Sequence, residues 1–151
     1  MSDIVDQHTR SRMMSAIKGA NTKPELLLRS ALHRKGFRFR VNYRKLPGKP
    51  DLVLPRYNAV IFVNGCFWHR HGCHLFQWPR TRENFWREKI MTNVARDIRN
   101  QKELIEKDWR IAVVWECAFK GKTRKPLDQT IARCAKWLKG TTQRLDISGN
   151  E

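Results

Sequence analysis

The chain has 151 residues, the length of one domain, and its hydrophobic residues (40%) suffice for a sizeable core without disulfide staples. Lys and Arg number 31 against 14 acids, a formal charge of +17; such an excess points to a polyanion, and nucleic acid is the leading candidate. An anionic membrane surface is disfavoured, because there is no run of 18 apolar residues, no basic amphipathic helix with a clean Trp/Leu face and no export signal in MSDIVDQHTR. The expectation is a soluble, cytoplasmic protein.

Residues 1–20 are polar and basic and read as an arm, with a short helical pattern around Arg12–Ile17. Thr22-Lys-Pro-Glu25 is a capping box with Pro just inside the start, so a helix begins there and stops at Gly36. FRFRVNY (37–43) alternates as a strand with one basic face, LPGKP turns the chain, and DLVL forms a second strand. AVIFV (59–63) is a buried strand by its continuous apolar run. Thr81 is placed to cap a long helix reaching about Lys107, with Phe85, Ile90, Val94, Ile98 and Ile105 on one side. IAVVWE (111–116) is another buried strand, KGKTRK a basic loop, and Leu127, Ile131, Ala135 and Leu138 mark a last helix. The order α-β-β-β-α-β-α predicts one α/β domain over 21–140 on a mixed central sheet, followed by a flexible tail at 141–151.

Between the third strand and the long helix stands NGCFWHRHGCH (64–74). Without an export signal thiols stay reduced, so clustered Cys and His read as a metal site before a disulfide. Structural zinc takes four soft or borderline ligands in a tetrahedron. Cys66 and Cys73, with His69, His71 and His74 close by, supply three, and Cys117, at the end of another strand, is the natural fourth. Which histidine joins them is open on spacing alone. Cys134 lies on the apolar side of the last helix and reads as core.

Pro50-Asp51 opens a strand, and a second strand follows after one turn, the layout of the PD-(D/E)xK nuclease core. An acid and lysine belong on that second strand; Phe62-Val63-Asn64 stand there instead. One branch accommodates this. PGKPDLVL, IFVNGCFWHRHGCH, TRENFWREKI with NVARD, and WRIAVVWECA together resemble the very short patch repair endonucleases, bacterial nickases of T:G mismatches, over most of residues 8–121. The resemblance implies a restriction-endonuclease-like fold with structural zinc on Cys66, His71, Cys73 and Cys117. It also implies Mg²⁺ held by Asp51 and the Val63 carbonyl, His69 as general base supported by Asp97, and Glu25 reaching toward the metal's waters. Position 64 departs from the family pattern, which has a second active-site His; the Asn64 amide can bond a phosphate oxygen but cannot trade protons near neutral pH.

Phe67 and Trp68 lie in a short loop with little room for both to point inward, and apolar wedges between base steps are how proteins kink DNA. The resemblance implies the same use for Phe67, Trp68 and Trp86 beside the mismatch, with Met14 of the arm as a wedge in the minor groove. Arg10, Arg12, Lys18, Lys89 and the loop Lys120–Lys125 are expected at DNA. The expected activity is Mg²⁺-dependent nicking 5′ to the T of a T:G mismatch left by 5-methylcytosine deamination, by a monomer. A cytosine methyltransferase is the implied companion, and general mismatch-repair factors are candidate partners. The alternative is a zinc-stabilised protein that binds distorted DNA without cutting it.

Overall fold

A computed structural model of the chain describes residues 21–149; the arm, with Met14, Arg10, Arg12 and Lys18, lies outside them. Helix α1 (Lys23–Arg34) starts as its capping box dictates, with the extended Thr22 hydroxyl accepting from the Glu25 N–H at 3.4 Å. Leu28, Ala31 and Leu32 form its buried stripe. Strands β1 (Arg40–Val41), β2 (Leu52–Leu54) and β3 (Ala59–Asn64) follow, then α2 (Glu83–Glu106), β4 (Arg110–Trp115), α3 (Leu127–Lys139) and β5 (Arg144–Ile147).

The five strands form one mixed sheet in the order β1-β2-β3-β4-β5. β1, β2 and β3 pair antiparallel, whereas β3, β4 and β5 are parallel, with α2 and α3 in the crossovers. Parallel strands are covered on both faces, which is why AVIF and IAVV read as unbroken apolar runs. Ala59 and Ile61 face a core shared with α1 and α3, including Leu28, Leu32, Ile131, Cys134 and Leu138. Val60 and Phe62 face Leu104 of α2. Truncating a fully buried member such as Leu32 or Ile61 to Ala would cost about 2–5 kcal/mol. The Arg110 guanidinium ties α3 to this sheet by donating to the carbonyls of Trp137 (2.9 Å), Leu138 (2.9 Å) and Tyr57 (3.1 Å), satisfying orphan carbonyls at a helix end.

Four expectations need correction. The strand expected over 37–43 is only Arg40–Val41: β2 is short, and although the Asn42 and Tyr43 N–H groups still donate to the Asp51 and Pro50 carbonyls at 3.0 and 3.2 Å, Pro50 has no N–H to return and Asn42 leaves the extended conformation at φ 47°. The segment expected as a flexible tail contains β5, which pairs with β4 and buries Ile147 completely. Only two of its four residues are apolar, too few to read as a strand. The long helix starts at Glu83, with Arg82 as its N-cap in the left-handed region at φ 52° and no side-chain cap, and not with Thr81 as the cap. Along α2 only Ile90 and Leu104 are buried, while Phe85, Ile98 and Ile105 stay exposed.

Candidate metal centre and active site

The site grows from one consequence of the parallel register. Asn64, last in β3, pairs with Trp115, last in β4, so both strands end at the same edge of the sheet. Cys66 and Cys117 each follow two residues later, and both are fully buried. The intervening loop turns back on itself: the His71 N–H donates to the Cys66 carbonyl at 2.9 Å, the Cys73 N–H to the His71 carbonyl at 2.8 Å, and Arg70 takes a left-handed φ of 50°. The Sγ atoms of Cys66, Cys73 and Cys117 and a ring nitrogen of His71 thereby lie within 4.8 Å of one another. His71 Nδ1 is 3.5 Å from both Cys66 Sγ and Cys117 Sγ. An ion held tetrahedrally at about 2.3 Å from sulfur and about 2.0–2.1 Å from nitrogen spaces such ligand atoms roughly 3.5–3.8 Å apart, so the donor set fits a metal.

The electrostatics agree. Burial pushes the Cys66 and Cys117 thiols up, so their thiolates need a cation, and burial lowers His71, keeping its imidazole neutral as a ligand must be. Stacking on Trp115 at 4.1 Å and 9° fixes the His71 ring. The Cys66 N–H donates to Glu116 Oε1 at 3.1 Å, closing the root of the loop onto the end of β4.

His69 goes elsewhere. Its Nδ1 is hydrogen-bonded to Asp97 Oδ2 from the middle of α2, at about one-quarter exposure (26%). A carboxylate on Nδ1 leaves Nε2 as the nitrogen that can accept a proton. Asn93 of the same helix donates to the Trp68 carbonyl at 3.4 Å, a second tie between α2 and the loop.

The acids gather beside the end of β3. β3 continues past Ile61, the partner of Leu52 at the start of β2, and Asp51 Oδ2 accepts the Val63 N–H at 2.6 Å. In an extended strand a residue's N–H and C=O project to the same edge, so the Val63 carbonyl faces the side on which Asp51 lies. Glu25 arrives from α1 at 1% exposure, with Oε2 accepting from Arg29 Nη2 at 3.0 Å and the Asn21 N–H at 2.9 Å. Burial first, then the Glu25 charge, pushes the Asp51 carboxyl up to about 8, while the Val63 N–H and Arg29 pull it down. Two buried carboxyls short of positive charge are what a hard cation relieves. Asn64 is 6% exposed, and strand alternation puts it on the Val60–Phe62 face, toward α2.

The aromatics form a larger cluster than the sequence indicated. Phe67, Trp68 and Trp86 touch pairwise with centroids 5.1–5.8 Å apart, and each is half-buried. Phe76, Trp78 and Phe85, missed by sequence reasoning, extend it. Arg82 lies 4.2 Å over Phe85 and Arg87 4.5 Å over Trp78; an Arg three residues before an aromatic at a helix start was the available signal. Lys89 is exposed on α2, and of the basic loop Lys120, Lys122 and Arg124 are exposed, Lys120 also pairing with Glu116 at 2.8 Å. Gly121 lets that loop approach the site: at φ +85°, a Cβ there would stand 2.6 Å from His74 Nε2.

Over 151 residues the chain is 43% identical to the DNA mismatch endonuclease Vsr of Escherichia coli (strain K12), spanning 99% of this chain and 97% of that one. The chain belongs to the DNA mismatch endonuclease Vsr family. The family model itself matches residues 2–75, from the arm through the cysteine loop. Two further relatives are type II nicking enzymes. V.XorIIP of Xanthomonas oryzae pv. oryzae is 45% identical over 117 residues, 78% of this chain and 86% of that one. V.NmeAIP of Neisseria meningitidis serogroup A is 44% identical over 122 residues, 81% and 87% of the two chains. Among the described residues no helix is long and apolar enough to cross a membrane.

Proposed function

We propose that this chain is a strand-specific DNA mismatch nickase of very short patch repair, cutting 5′ to the T of a T:G mismatch and leaving 5′-phosphate and 3′-hydroxyl ends. Support comes from the mismatch endonuclease and nicking enzymes to which it is similar, and from its charge of +17. The observation that carries the reading is the company kept at one end of β3. A buried acid pair, Asp51 and Glu25, and a carboxylate-supported imidazole, His69 with Asp97, both lie by the strand that leads into the aromatic cluster.

The core is read as restriction-endonuclease-like, with the second-strand acid replaced by the Val63 main-chain oxygen. Mg²⁺ is the cation proposed for Asp51, Val63 and the Glu25 side of the site, and zinc the ion proposed for Cys66, His71, Cys73 and Cys117. When bound, the hard cation supplies positive charge against the charge that develops on the scissile phosphate. The protein's own part is proton handling and position. His69 Nε2 takes the proton of the attacking water, and Asp97 on Nδ1 holds the ring and steadies its positive charge. Asn64 donates to a phosphate oxygen and leaves His69 as the single base. Phe67, Trp68 and Trp86 enter the stack at the weakly paired T:G step, where unstacking costs least, with Met14 opposite. Lys89, Arg12 and the exposed cations of the 120–125 loop neutralise phosphates, and one chain suffices because one strand is cut.

The test is nicking of end-labelled duplexes carrying T:G or T:A in several flanking sequences at fixed salt, with and without Mg²⁺. Cleavage confined to the T strand of the mismatch and requiring Mg²⁺ is expected. Tight mismatch binding with no cut in any context would replace this reading with that of a distortion-binding protein, and Asn64 would be the first position to revert to His.

A further inference from the structure

We propose that the segment following β5 is a working part of the metal centre: the backbone N–H of Gly149 hydrogen-bonds Cys117 Sγ and holds that sulfur in its ligand position, so the C-terminal strand acts as a clamp on the bound ion. The inference rests on the metal reading above and goes beyond it.

Three observations carry it. β5 lies parallel to β4 with Ile147 opposite Val114, so the residues after Ile147 and those after Val114 leave the sheet at the same edge and meet. The Gly149 N–H reaches Cys117 Sγ at 3.3 Å. The position admits no side chain: a Cβ on Gly149 would stand 2.3 Å from the Cys117 carbonyl oxygen, 2.3 Å from Thr123 Oγ1 and 2.6 Å from the Thr123 carbonyl oxygen. Thr123 Oγ1 donates to that Cys117 carbonyl at 3.2 Å, so the residue is held at its carbonyl by the basic loop and at its sulfur by the chain's end. An N–H donated to a metal-bound thiolate fixes the direction of the sulfur and spreads its charge, and loss of such outer contacts typically weakens metal binding 10–100-fold.

The test compares the full chain with Gly149→Ala and with a semisynthetic chain whose Ser148–Gly149 amide is replaced by an ester, which exchanges the N–H for an oxygen without adding a side chain or a carboxylate. Metal content is measured on each as purified, then the rate of release to a chromophoric chelator. A second readout is the sulfur-to-cobalt charge-transfer band of the Co²⁺-loaded proteins. The expected result is one ion per full chain, release about 10–100-fold faster from both variants, a shifted charge-transfer band, and unchanged far-ultraviolet circular dichroism. If Gly149→Ala fails to fold, the ester chain decides. Release at the full-chain rate with an unshifted band would overturn the clamp while leaving the metal site standing. A full chain that holds no ion at all would overturn both.

Discussion

His69, on the cysteine loop, and Asp97, in the middle of α2, are joined through Nδ1 and Oδ2. The pair spans 28 residues of sequence and makes the imidazole's orientation depend on a helix instead of on the loop alone. Asp97→Asn keeps a partner of similar shape but removes the charge that steadies a protonated ring. Single-turnover nicking should fall by about 10²–10⁴-fold, with metal content and mismatch affinity unchanged. His69→Ala should fall as far, and the double variant little further, because the two act as one unit. Additive losses would separate their roles.

Asp51 makes a prediction about pH. In the cation-free folded protein it holds its proton to about pH 8, whereas an unfolded chain releases it near pH 4. Between those values the folded state binds more protons, so this group's contribution to stability declines as pH rises and levels off above about 8. Asp51→Asn cannot titrate. Melted in EDTA, it should gain on the parent steadily from pH 4 to 8, and added Mg²⁺ should shrink that gain by stabilising the parent's carboxylate. A difference flat across that range would mean the carboxyl is already ionised when folded. Nicking by the variant should be lost.

Removing one sulfur should disable chemistry some distance away. Cys117→Ala or Cys66→Ser leaves a buried site with too few ligands, so bound metal should drop from one ion to none by elemental analysis. Amide exchange should then quicken across residues 65–75, and nicking should fail because His69 rides on that loop. Undiminished activity in a metal-free Cys117→Ala protein would assign the ion no part in holding the loop.

Trp68 tests the wedge. It packs on Phe67 and Trp86 at 5.1 and 5.8 Å, and a stack on a base is worth about 1–3 kcal/mol. Trp68→Ala should weaken T:G binding by roughly 5–150-fold in fluorescence anisotropy, with a much smaller change for matched duplex. Phe85→Ala, at the cluster's exposed margin, should do less. Equal losses on both duplexes would make the cluster a general DNA contact without preference for the mismatch.

The metal cluster was legible because two features of sequence coincide. Cys and His crowd one loop, and the apolar runs AVIFV and IAVVW mark two strands buried side by side, so a cysteine just past each had to lie close. The choice between His69 and His71 was not legible, since it depends on the turn at Arg70 and on Trp115 offering a face to one ring. β5 was missed because an edge strand shows one side to solvent, and RLDI has too few apolar residues to announce itself. The apolar residues grouped on one side of α2 are only partly covered because the 24-residue helix, about 36 Å long, runs back along strands of six residues, about 20 Å long, and overhangs them. The acid pair was half visible. Asp51 before a strand is a pattern; Glu25 reaching it from α1 is a matter of packing.

The matched ends of β3 and β4 carry one more consequence. Because Cys66 and Cys117 stand equally far beyond Asn64 and Trp115, the loop is anchored at its base by the two central strands, and the stretch from Leu75 to Arg82 joins it from outside, through Phe76 on Phe67 at 6.0 Å and Trp78 on Phe76 at 5.0 Å. That stretch supplies none of the four sulfur and nitrogen atoms gathered at the candidate metal site, so its sequence can change while the ligand set keeps its geometry. The ligand geometry is thus set by two strand ends, and the surface that leads away from it is a separate piece of chain.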